Sequence, residues 1–218
     1  MSLAVMAFGI AAAMLAVGVT HLLLPRAQIH FARGVTPEFF RSLAQRGSLF
    51  RFHYWAMVVA ALLGAGIVGG ARDLLPAGGG PLYRFIEAAA LAGFLLTAVD
   101  FARMQARAGD LARRFDALSP AAREAVVAQG IGRIDATGLF GFGLVGLWFG
   151  AFNYLALGAG VLSRAHAWLG IAGALLYVAV FLGTVLRAAL LVDLAVGIGG
   201  GLVAPAWFIW LGFVLLSR

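Results

Sequence analysis

LAVMAFGIAAAMLAVGVTHLLL, residues 3–24, runs for 22 positions without an Asp, Glu, Lys or Arg. A helix on the surface of a water-soluble protein keeps one polar side, and this stretch has none to turn outward. As a helix it spans about 30 Å, which matches the hydrocarbon thickness of a bilayer. A secretory signal peptide is the competing reading. The stretch has no positive leading region, exceeds the usual apolar length of such peptides, and shows no small-residue cleavage site before Pro25. It reads as a retained transmembrane helix.

Five more runs of this kind follow, at residues 52–70, 84–104, 138–162, 167–186 and 195–216. Together they predict an all-α, polytopic bundle of six transmembrane helices forming one domain over residues 1–218. Composition agrees: 63% of the chain is hydrophobic and 11% charged, against about 25% charged in a soluble domain. A surface so poor in charge is tolerated by lipid and not by water. Only residues 187–194 separate the last two runs, and Arg187 and Asp193 predict a turn there that reaches the interface.

The loops carry helix signals of their own. Thr36-Pro37-Glu38 supplies a capping hydroxyl, a proline suited to the first helical position and an acid at the positive dipole end. Phe39, Phe40 and Leu43 then interleave with Arg41 and Arg46, which predicts a short helix in the headgroup layer. Ser119-Pro120 opens a second one, ending near Gly130 and Gly132. Pro76 and Gly78–Gly80 predict a flexible turn between the second and third spans.

All sixteen basic residues are arginine, and Ala, Gly and Leu dominate, as codon use in a GC-rich bacterial genome would produce. Twelve arginines fall in the 25–51 and 103–133 loops and at Arg187, against four at Arg72, Arg84, Arg164 and Arg218. The positive-inside rule then places the long loops in the cytoplasm and both termini outside, in a bacterial cytoplasmic membrane. The net charge of +7 is scattered over membrane-flanking loops, with no basic stripe interleaved with aromatics. The expected partner is therefore the bilayer and not nucleic acid. With no cysteine, disulfides and thiolate metal sites are excluded.

Polar residues at membrane depth need a partner or a purpose. His21, His53, Asp100 and Asp135 fall at one depth in the inner leaflet, near Arg51, Arg103 and Arg133. They read as helix-end anchors, as a polar ligand or proton site, or as metal or haem ligands, with His21 and His53 the pair for that last option. No HExxH or comparable motif is present, and no cofactor is predicted. In the outer leaflet, Arg84 and Glu87 lie three residues apart and can pair. Together with Asn153 and His166 they outline a candidate outward-facing site. Glu87 and Asp100 stand ~20 Å apart along one helix and cannot form a dyad. Trp55, Trp168, Trp207 and Tyr54 read as interfacial aromatics, Trp148 and Trp210 as packing. Among thirty glycines, Gly146 and Gly150 form a small-xxx-small pair, suited to packing within the chain or to a dimer face. Gly199–Gly201, just before Pro205, is a candidate for a locally unwound helix.

Part of the chain resembles a known family. Tyr83-Arg84-Phe85-Ile86-Glu87-Ala88-Ala89 resembles the R-x-x-E-A signature on the third helix of the DUF4386 membrane proteins. YLALGAGVLSRAHAWLGIAG, residues 154–173, resembles that family's turn leading into W-L-G, and WFIWLG at 207–212 resembles its closing helix. The resemblance covers residues 80–218. It departs in the N-terminal third, and Arg164 stands slightly earlier than the family's basic residue. It implies six helices, supplies no reaction, and singles out Arg84 and Glu87.

Three function classes follow. The first is binding or transport of a small molecule or ion through an intramembrane polar site. The second is a non-catalytic accessory subunit, as a homo-oligomer or in a membrane complex, packing through glycine-rich helix faces. The third is a membrane-embedded enzyme or a haem or metal redox protein. A transporter predicts a cavity near the midplane. An accessory subunit predicts a filled interior and an open glycine face.

Overall fold

The structure, a computed structural model, describes residues 2–29 and 34–217. Arg33 and Arg218, both counted in the charge asymmetry above, lie outside the described residues. Among these, six helical spans are long and apolar enough to cross a membrane: Leu3–Leu23, Ser48–Leu74, Gly80–Ala117, Leu139–Gly158, Arg164–Val185 and Ala189–Leu216. No strand occurs among the described residues. The chain is a multi-pass helical membrane protein.

Helix α1 (Leu3–Leu23) starts where the Ser2 hydroxyl accepts from Val5 N–H, and stops because Leu24, before Pro25, is extended. Helix α2 (Pro37–Arg46) forms as its signals predict, with Thr36 accepting from the Phe39 N–H. Its apolar face does not enter the headgroup layer. Phe39, Phe40 and Leu43 are buried in the protein, with Phe40 stacked on Phe115 at 4.7 Å and Phe39 edge-on to Phe50. One residue later, at Gly47, the chain turns into α3 (Ser48–Ala71).

Helix α4 (Gly80–Arg114) has 35 residues where the apolar run has 21. At 1.5 Å per residue it is about 52 Å long and outreaches a core of about 30 Å. The turns added beyond Met104 lack proline, and Ala108 and Ala112 face inward against the arginine-rich end of the bundle. Helix α5 (Pro120–Gln129), capped by Ser119 and ended at Gly130 (φ +65), lies in the loop beyond it, with Val126 and Val127 partly buried against the core at this end.

The fourth span opens with a π-helical segment, Leu139–Leu144, before α6 (Val145–Gly158). After α7 (Arg164–Val185) the turn is tighter than expected. Arg187 sits in it at φ +56, and Asp193 lies exposed inside α8 (Ala189–Ile198) and not in the turn. A second π segment, Gly199–Val203, joins α8 to α9 (Ala204–Leu216). Pro205 has no N–H for the carbonyl four residues back, and its ring crowds that turn. The wider π turn, built from glycines, accommodates it without breaking the span.

Two apolar cores result. One lies at the end away from the arginine-rich loops, around Trp148, Phe149, Phe152 and Trp207 on α6 and α9. The other lies at the arginine-rich end, around Phe39, Phe40, Phe50, Tyr54 and Phe115. Gly146 packs within the chain: a Cβ there would lie 2.8 Å from Tyr177 and 3.2 Å from the Ala174 carbonyl on α7.

Candidate functional site

At the arginine-rich end, α1, α3, α4 and the linker into α6 bring polar groups inward. Thr20 on α1 donates to the Ala16 carbonyl at 2.7 Å and stands 2.7 Å from His53 Nδ1 on α3. One hydroxyl proton cannot serve both partners, so the arrangement is satisfied with the imidazole proton on Nδ1 and Thr20 accepting it. His21, one residue along α1, is exposed, with its ring centroid 6.0 Å from that of His53.

Asp100 and Asp135 are both buried, and both serve the irregular backbone that leads into α6. Asp100 Oδ1 accepts from the Ile134 N–H at 2.9 Å, and its other oxygen lies 3.6 Å from Arg133 Nε. Asp135 Oδ2 accepts from the Gly141 N–H at 2.8 Å, inside the π segment. Gly138 takes φ +73 to make this turn, a conformation that costs glycine nothing. Nonhelical backbone at membrane depth must find partners in the protein, and these carboxylates supply them. The close approach of α4 allows it: a Cβ on Gly93 would strike the Phe140 carbonyl, and one on Gly141 would lie 2.7 Å from Thr97 Oγ1. The four inner residues therefore form two sets, Thr20–His53 with His21 beside it and Asp100–Asp135 around the linker. Among the described residues, no three His, Asp or Glu side chains stand together as a metal site would require.

At the opposite end the expected Arg84–Glu87 pair does not form. Glu87, 5% exposed, faces into the bundle, and its carboxylate lies 3.7 Å from Arg72 Nη1 on the turn after α3, while Arg84 is exposed. Spacing of three puts two residues near each other on a helix. Here the surrounding helices bury position 87 and leave 84 outside. One turn before Glu87, the Tyr83 hydroxyl accepts from Trp148 Nε1 at 2.9 Å.

Asn153 and His166 do come together, around Trp207. The Asn153 amide oxygen accepts from Trp207 Nε1 at 2.9 Å, and its NH2 donates to the Phe149 carbonyl at 2.8 Å. His166 Nε2 lies 3.2 Å from the Trp207 carbonyl, and its ring stacks on Trp210 at 4.8 Å with 5° between planes. Both residues are fully buried. Gly170 on α7 makes room for the amide, since a Cβ there would overlap the Asn153 side chain. Trp207 and Tyr54 are thus buried within the protein and not at its surface, whereas Trp55 and Trp168 are exposed.

The residues missed from sequence are Thr20, Arg72, Tyr83, Trp207 and Gly170. One signal was available: an indole N–H in a buried span requires an acceptor, and Asn153 is the one amide in the fourth span. The cavity beside Trp148, Phe149 and Phe208 measures about 10 Å³, which is at or below what one water needs.

No protein-family model, curated protein or solved structure matches the chain.

Proposed function

We propose that this protein is a non-catalytic subunit of the bacterial cytoplasmic membrane that packs against partner transmembrane helices through its last span. Its arginine-rich loops face the cytoplasm and both termini lie outside, as the positive-inside rule directs. The observation that carries the reading is a contrast between inside and outside. Inside, Asn153, Asp100 and Asp135 are hydrogen-bonded to the protein's own groups and Glu87 is paired with Arg72, and the apolar cavity beside Trp148 measures about 10 Å³. Outside, a Cβ at Gly197, Gly200 or Gly201 would meet no atom within 4 Å, and these glycines are flanked by exposed Leu194, Ile198 and Leu202. Bare glycine backbone lets a second helix approach closely, and in lipid such packing drives association.

The absence of cysteine makes the test direct. A cysteine carrying a photoreactive label replaces Gly200 or, as a control on another exposed face, Leu175. Illumination in native membranes should give a protein adduct of defined mass from position 200 alone. Adducts with lipid only, at both positions, would sink the reading.

One observation favours binding of a small molecule at the other end. His166 Nδ1 is buried and has no hydrogen-bond partner, so a ligand donor could meet it there. Membership of the DUF4386 family, resting on Arg84, Glu87 and residues 154–173, belongs to the proposal as well.

A further inference from the structure

A cavity of a different kind lies at the arginine-rich end. It measures about 200 Å³ and lies between α2, the start of α3 and the far end of α4, walled by Leu43, Ala44, Phe50, Arg51, Gln105 and Arg113. That is room for roughly six water-sized groups, enough for a phosphate with a short ester arm.

Its chemistry is cationic. The walls hold two guanidiniums and no carboxylate. Arg113 shares its charge with Asp110, which stands outside the walls. Arg51 has no carboxylate partner among the described residues. Its Nη1 is folded back to 3.4 Å from where a Cβ on Gly47 would be, and Gly47 is the N-cap of the 24-residue α3, with no side chain capping the first-turn N–H groups. A lone guanidinium and the positive end of a long helix therefore meet at one spot, the arrangement that attracts an anion. The carbonyl end of α2 also abuts Gly47, but Arg46 in its last turn stands against that dipole. The Gln105 amide, with no hydrogen bond of its own among the described residues, adds a neutral donor.

The depth is that of a headgroup. Arg51 comes one residue before the second apolar run, and exposed Phe52 and Trp55 follow it toward the lipid. Gln105–Arg113 is the part of α4 that outreaches the hydrocarbon core.

We propose that this cavity binds a phosphate-ester anion, with Arg51 and Arg113 as its cationic contacts and Gln105 as a neutral donor. The anion can be the headgroup of an acidic phospholipid or a dissolved phosphate, and two arms separate them. The full chain, purified in neutral detergent, is titrated with inorganic phosphate. In parallel it is reconstituted in phosphatidylcholine nanodiscs containing increasing phosphatidylglycerol. Thermal unfolding is followed in both.

A saturable rise in Tm is expected. If it appears in detergent the anion is dissolved phosphate, and if only in nanodiscs it is a headgroup. Arg51→Gln and Arg113→Gln should each raise the half-saturating concentration about fivefold. Ala44→Phe should abolish the response by filling the cavity with every charge retained. Arg103→Gln, an exposed arginine outside the walls, should leave it unchanged. No saturable response in either arm, persistence of the response in Ala44→Phe, or equal weakening in Arg103→Gln overturns the proposal. Circular dichroism of each variant before titration separates loss of binding from loss of fold.

Discussion

The two ends of this bundle bury polar groups by different means. Away from the arginine-rich loops, the core is tied mainly by neutral donors and acceptors: Trp148 to Tyr83, Trp207 to Asn153, and Asn153 to the Phe149 carbonyl. At the arginine-rich end the work falls to carboxylates, Asp100 and Asp135, which hold backbone N–H groups of the linker into α6. Charge at membrane depth is costly, so regular helices that satisfy their own backbone need only neutral links between them. Irregular backbone presents N–H groups with no helical acceptor, and an ionised carboxylate bonds those most strongly. Glu87 is the exception that fits the rule, because its partner Arg72 lies on the turn after α3 and is half-exposed.

This contrast can be broken, and the sharpest attempt is Asp100→Ala. It orphans the Ile134 N–H and leaves Arg133 without this carboxylate, so a loss of about 3 kcal/mol is expected. Reversible unfolding in mixed detergent would measure it, and a loss smaller than that of Asn153→Leu would invert the comparison. Next comes Gly170→Ala. The added methyl meets Asn153 where the helices have no slack, and about 2 kcal/mol should be lost by the same assay. Asn153→Leu removes the acceptor of a buried indole N–H and should lose about 1–2 kcal/mol, with Trp207 emission shifted as its environment changes.

The smallest effect separates two arginines. Glu87→Ala and Arg72→Ala should each lower stability by about 1 kcal/mol or less, since Arg72 keeps access to water. Arg84→Ala should stay within about 0.5 kcal/mol. A double-mutant cycle reads the coupling. Significant coupling of Glu87 to Arg84, with none to Arg72, would restore the pairing expected from spacing alone.

Six apolar runs, the Thr36 and Ser119 caps and the arginine asymmetry could all be read along the chain, because transfer to lipid and helix capping depend on residues within a few positions of one another. The length of α4 was not legible from hydropathy. Its last ten residues are helical with a polar outer side, held by Ala108 and Ala112 against α2 and its neighbours. Nor was the first π segment, which arises where the close approach of Gly93 to Phe140 meets the rest of the fold, whereas Gly199–Gly201 before Pro205 did mark the second stretch as irregular. His166 and Asn153 could be picked out singly, but that they meet around Trp207, while Glu87 reaches past Arg84 to Arg72, depends on how helices from distant parts of the chain rotate against each other. Local sequence dictates which segments enter the bilayer. Which polar atoms then touch is decided by packing among four or more helices, and no short-range pattern encodes that.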